Sequence, residues 1–178
     1  MLNRAGELDP RSPFALGARG LVLMAGGRDA DAMSAAKEAL EVDGNFSLAL
    51  YFLGAAYARA WQHVEAVVIF EKLVAASERS SLGLANLAWA YGGANMRNEA
   101  ETILAELKEK AEREYIPNHF FAWVLSTIGR MDEAFAYLEK AVEERHPHLV
   151  FHMIFSYDHL RPDPRFQELL RRIEMRTP

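Results

Sequence analysis

A chain of 178 residues can bury one sizeable core or stack several small units. Its composition, 51% hydrophobic and 25% charged, excludes a disordered chain, and the lack of cysteine excludes disulfides and thiolate metal sites. A net charge of −5, mixed in sign, excludes a broad basic surface for nucleic acid, and no apolar run approaches the roughly 18 residues that span a bilayer.

Alanine, leucine and glutamate dominate while runs of valine, isoleucine and threonine are scarce, so helix is expected almost everywhere. Helix pairs are predicted at 13–26 with 29–41, 47–59 with 62–76, 81–93 with 97–111, and 116–128 with 131–144. Turn signals fall between them at Gly26-Gly27, Asp43-Gly44-Asn45, Pro117 and Gly129. From Leu149 the pattern changes. Asp163 is expected to cap a closing helix that starts at Pro164, with Phe166, Leu169, Leu170 and Ile173 on its apolar side and Arg171 and Arg172 near its end.

Shifting the sequence by 34 positions superposes it on itself. Ala32, Ala66, Ala100 and Ala134 form one column, and Gly20, Gly54, Ala88 and Ala122 another. Larger residues keep the same step: Leu23, Tyr57, Tyr91 and Leu125; Ala36, Phe70, Leu104 and Leu138; Ala39, Leu73, Leu107 and Ala141. A small residue in mid-helix lets a second helix approach closely, and neither helix of a pair can bury its apolar face alone. The pairs must therefore stack into one continuous core.

This period and pattern resemble the tetratricopeptide repeat (TPR) family. Its small-residue, tyrosine, alanine and phenylalanine positions map onto Gly54, Tyr57, Ala66 and Phe70. The family's closing proline is replaced by Gly44, Glu78 and Glu112, and its early tryptophan by Leu16, Leu50 and Leu84. The resemblance implies an all-α, right-handed superhelical solenoid of antiparallel helix pairs. Its units would be 13–46, 47–80, 81–114 and 115–148, after a partial unit at 1–12 and before a closing segment at 149–178. Ala5, Asp9 and Pro10 stand one period before Ala39, Asp43 and Gly44, so the chain is expected to be cut from a longer protein, the alternative being a native start with a lone capping helix. The string Leu160-Arg161-Pro162-Asp163-Pro164-Arg165-Phe166 resembles the C-terminal ends of bacterial multidomain regulatory proteins, whose upstream effector is often a winged-helix domain, a nucleotide cyclase or a kinase.

In the resembled family the first helix of each unit lines a concave groove for a protein or peptide ligand. The matching positions here include Phe14, Leu21 and Met24, then Leu48, Tyr51 and Arg59, then Leu82 and Trp89, and finally His119 and Trp123. With Arg59 the one cation among them, a carboxylate clamp is not expected. Tyr51, Trp89 and Trp123 would anchor an apolar or amphipathic segment, or pack against neighbouring helices instead, and an apolar groove could also pair two copies as a homodimer. An enzymatic alternative rests on His146, His148, His152, Asp158 and His159, which read better as solvated or capping groups. The expectation is a cytoplasmic, non-catalytic module with no cofactor, no metal, no nucleic acid and no membrane among its partners.

Overall fold

The computed structural model describes residues 12–145, 149 and 157–173. Among them the chain forms nine α-helices and no strand. They are α1 (Pro13–Ala25), α2 (Asp29–Val42), α3 (Ser47–Arg59), α4 (His63–Ala76), α5 (Ser81–Gly93), α6 (Arg97–Ala111), α7 (Asn118–Thr127), α8 (Met131–Glu144) and α9 (Pro164–Arg172). A 3₁₀ turn at Asp158–Leu160 precedes α9. Each helix packs on the next, from α1 on α2 through α7 on α8.

The same local device reverses the chain inside every pair. Gly27, Trp61, Asn95 and Gly129 all take the left-handed conformation, at φ of 70°, 60°, 59° and 79°. One residue further on, a backbone N–H reaches back to the last turn of the preceding helix. Arg28 bonds Leu23 at 2.8 Å, Gln62 bonds Tyr57 at 2.9 Å, Met96 bonds Tyr91 at 2.8 Å and Arg130 bonds Leu125 at 2.9 Å. These bonds use up carbonyls that a helix end leaves unpaired. Helix starts are marked less uniformly. The Ser12 side chain accepts from Ala15 N–H at 3.2 Å before Pro13, and Ser80 accepts from Gly83 N–H at 3.1 Å. The fourth pair opens two residues later than the sequence suggests, because Pro117 takes an extended ψ of 132° and acts as the cap. A residue that precedes proline is biased away from helix, which keeps Ile116 outside α7.

The columns of the repeat become the core. Ala32, Ala66, Ala100 and Ala134 are all fully buried, as are Ala88 and Ala122. Volumes trade in the last three pairs: Gly54 faces the ring of Phe70, whereas Ala88 and Ala122 share their pairs with the smaller Leu104 and Leu138. A β-carbon on Gly54 would stand 2.5 Å from the Phe70 ring, so only glycine fits beneath phenylalanine.

The closing helix matches its expectation. Asp163 accepts from Arg165 N–H at 2.9 Å, and Phe166, Leu169 and Leu170 are buried. α9 lies against α8, where the Arg165 guanidinium stacks 3.9 Å over the Phe135 ring and bonds Asp132 at 2.9 Å. The partial unit at 1–12 and the histidines at 146, 148 and 152 lie outside the described residues, save Ser12.

Candidate functional site: an apolar cavity beside Tyr51

The first helices of the pairs, α1, α3, α5 and α7, run side by side along one face. What separates each from the next depends on one column, Gly17, Tyr51, Ala85 and His119. Gly17 sits against Leu48, to which an added β-carbon would approach within 2.9 Å, so α1 and α3 pack closely. Ala85 is fully buried, and α5 meets α7 just as closely. Between them stands Tyr51, and there α3 and α5 are held further apart. A phenol ring cannot enter the gap that a hydrogen or a methyl group fills, so the solenoid opens at this seam.

The opening is a cavity of about 570 Å³, within the size range of sites that hold ligands. Leu21 reaches it from α1, Ser47, Leu48, Tyr51 and Phe52 from α3, Leu73 from α4, and Leu82 and Gly83 from α5, with Ser77 and Ser80 in the loop between α4 and α5. None of these lining residues carries a charge. Burial alone pushes the Tyr51 phenol far above the ordinary tyrosine range, so it stays protonated and can only exchange hydrogen bonds. Its ring is held edge-on to Phe52 at 5.1 Å. Two of the three serines are engaged locally: Ser77 donates to the Leu73 carbonyl at 2.7 Å and Ser80 donates to Ser77 at 2.9 Å. The site is chemically suited to enclosing aliphatic or aromatic side chains.

The sequence-derived groove residues divide between two fates. Phe14, Leu21 and Tyr51 keep surface: Phe14 is 57% exposed at the start of α1 and Leu21 37%, while Tyr51 is half-buried. Met24, Trp89, His119 and Trp123 are buried, at 1%, 7%, 0% and 1% exposure, and offer a partner no surface. For these four the expectation is corrected. Trp89 and Trp123 stack on each other at 4.8 Å, with Phe70 6.4 Å beyond, and this aromatic row fills the core across α4, α5 and α7. His119 packs edge-on to Phe120 at 4.7 Å, and the wholly buried Tyr157 donates its hydroxyl to the His119 carbonyl at 2.8 Å. Tyr157 thus lies against α7.

Arg59 is not a cation waiting for a carboxylate. It makes a forked pair with Asp29 of the preceding unit, Nε to Oδ1 at 3.2 Å and Nη2 to Oδ2 at 3.3 Å. The same two columns hold Gly93 against His63 one unit later, so this position ties successive units together. Phe52, Leu73, Ser77 and Ser80 belong to the cavity but escaped the sequence reading. The signal available was the large residue at Tyr51, where the units before and after it carry Gly17 and Ala85. Among the described residues no group of three or more His, Asp or Glu stands close enough to hold a metal ion. None of their helices is long and apolar enough to cross a membrane.

Residues 118–145, which span α7 and α8, match the tetratricopeptide repeat family model. Comparison with curated proteins gives no match. Among solved structures, TTC0263, a thermophilic TPR protein of Thermus thermophilus, is 19% identical, with TM-score 0.67 over 95% of this chain and 87% of its own. YrrB, described as a TPR protein with an unusual peptide-binding site, is 21% identical, with TM-score 0.58 over 98% and 92%. MamA from Desulfovibrio magneticus RS-1 is 20% identical, with TM-score 0.59 over 81% and 82%. Identities this low speak to fold. The fourth helix pair matches the tetratricopeptide repeat model by sequence, and the chain has the all-α solenoid fold of solved tetratricopeptide repeat proteins.

Proposed function

We propose that this chain is a non-catalytic interaction module that binds an apolar or amphipathic segment of another protein in the cavity beside Tyr51. The carrying observation is an uncharged pocket of about 570 Å³ bordered by the partly exposed Leu21 and Leu82. A helix that presents leucine-like anchors one turn apart would fill it. Peptide chemistry fits better than a small polar metabolite, because no lining group could pair with a charge. The expected setting is the cytoplasm of a bacterium, within a larger regulatory protein, on the resemblance of residues 160–166 described above.

The test is fluorescence anisotropy with a panel of labelled amphipathic helical peptides, on wild type and Leu82→Glu. Leu82 is 38% exposed, so glutamate there is tolerated by the fold while placing a charge at the cavity mouth. Binding should weaken at least about tenfold, since burying an unpaired carboxylate is strongly unfavourable. Unchanged affinity in the folded variant would remove the cavity as the binding site.

A further inference from the structure

The repeat supplies its own control for which surface residues are unusual. At the turn inside each pair stand Gly27, Trp61, Asn95 and Gly129, all at positive φ. Glycine and asparagine are the residues that tolerate this conformation, and a bulky side chain there is strained. Trp61 nonetheless holds φ 60° and is 80% exposed. Two positions of the following helix repeat the contrast. Val64, 68% exposed, replaces Ala30, Asn98 and Asp132 of the other units, and Val68, 49% exposed, replaces Ser34, Thr102 and Ala136. Val64 and Val68 fall on one side of α4 and Trp61 stands in the turn just before it, and so the second unit alone presents a tryptophan and two valines to solvent at these positions. The indole is also oriented, edge-on to His63 at 5.7 Å. The His63 ring is in turn wedged against Gly93, where a β-carbon would collide with it. A strained, exposed, oriented aromatic residue points to a use outside the fold.

We propose that Trp61, with Val64 and Val68, is the donor half of a self-association contact whose acceptor is the Tyr51 cavity of a second copy. This rests on the cavity being a binding site. Trp61 offers on the order of 200 Å², well short of the roughly 800 Å² per partner of a stable flat interface. Patch against patch would leave the indole half solvated. A concave, uncharged receptor that encloses the ring makes far better use of it, and the chain carries one of about 570 Å³. Donor and acceptor cannot meet within one molecule. The cavity's lining on α3 runs from Ser47 to Phe52, while Trp61 follows the end of this 13-residue helix, nine residues and about 14 Å beyond Phe52. Because the two surfaces differ, the contact is head-to-tail and can propagate from copy to copy.

Sedimentation velocity across a wide concentration range tests this with wild type, Trp61→Asn and Leu82→Glu. Trp61→Asn installs the residue that occupies this turn one unit later, so its fold is preserved. Wild type should grow in mass with concentration, and each variant alone should associate at least about tenfold more weakly. An equimolar mixture of the two should form a heterodimer and stop there, since one brings only a cavity and the other only a tryptophan. A wild type that stays monomeric, or a Trp61→Asn protein that associates like wild type, overturns the proposal. Association retained by Leu82→Glu but lost in Trp61→Asn would remove the cavity as acceptor. The peptide reading is judged separately: Trp61→Asn keeps peptide binding if the cavity is the peptide site, whatever happens to self-association.

Discussion

Gly54→Ala in α3 is the sharpest probe of how the repeat is packed. Its new β-carbon would lie 2.5, 2.7 and 2.8 Å from three atoms of the Phe70 ring, against about 3.5–4.0 Å for relaxed carbon contacts. Phe70 has no surface to retreat to, because it is fully buried and flanked by Trp89 at 6.4 Å. Overpacking of this kind costs about 1–3 kcal/mol. Replacing glycine by alanine in mid-helix returns about 1 kcal/mol, so the net expected loss is about 1 kcal/mol. The third and fourth pairs show the relaxed solution, with Ala88 sharing its pair with Leu104 and Ala122 with Leu138. In a Phe70→Leu background the clash disappears and Gly54→Ala should stabilise by about the helix-propensity gain. The two substitutions are therefore expected to couple by about 2 kcal/mol. Urea denaturation followed by far-ultraviolet circular dichroism measures all four proteins, and midpoints are comparable where the slope is unchanged. Each kcal/mol corresponds to about 2–4 °C in Tm at this chain length. A coupling energy within about 0.5 kcal/mol of zero would refute the idea that glycine is required beneath Phe70.

Phe166→Ala removes the largest buried ring of α9, which stacks at 5.9 Å on Tyr157. Stability should fall by about 3–5 kcal/mol in the same urea titration. Glu106 bonds Arg79 at 2.9 and 2.6 Å, and this pairing lowers its carboxyl below the usual range. A depressed carboxylate contributes stability above its unfolded pKa that is lost as pH falls through the folded one. Glu106→Gln should thus be less stable at neutral pH by under about 1 kcal/mol, as the pair is largely exposed, and match wild type at pH well below 4. A difference that persists in acid would mean the effect is not ionic. Desolvation lowers the pKa of His63, which disfavours its charged form, so the fold should weaken as pH drops from above 6.5 toward the lowered value. His63→Gln should flatten that part of the stability profile, and an identical profile would assign the loss to another group. Tyr51→Ala lets α5 settle toward α3, and peptide affinity should drop even where the lost ring enlarges the nominal space.

Much of the fold was legible because stacking rules are local and recur every 34 residues. Four buried alanines from Ala32 to Ala134, the glycine-to-alanine column from Gly20 to Ala122, and the Asp163–Pro164 helix start each state a steric requirement that one stretch of chain must meet. Helix ends followed from the same logic, apart from α7, where Pro117 moved the start by two residues. The site was less legible. A family register assigns a face to each residue, but exposure depends on what neighbouring units and the closing segment lay over it. Trp89 and Trp123 occupy groove positions by register, yet each satisfies the other's apolar surface at 4.8 Å and both are lost to solvent. Arg59 carries a charge by sequence, but the partner that neutralises it, Asp29, lies 30 residues away.

By itself the sequence determined that helix pairs form, where they turn and that they stack, since side-chain volume and backbone φ preferences act within a single unit. Only the tertiary structure decided where the stack opens. The Tyr51 cavity exists because one bulky ring at a contact between units competes with the packing of Leu48 and Leu82 around it, and that competition is settled in three dimensions between residues far apart in the chain.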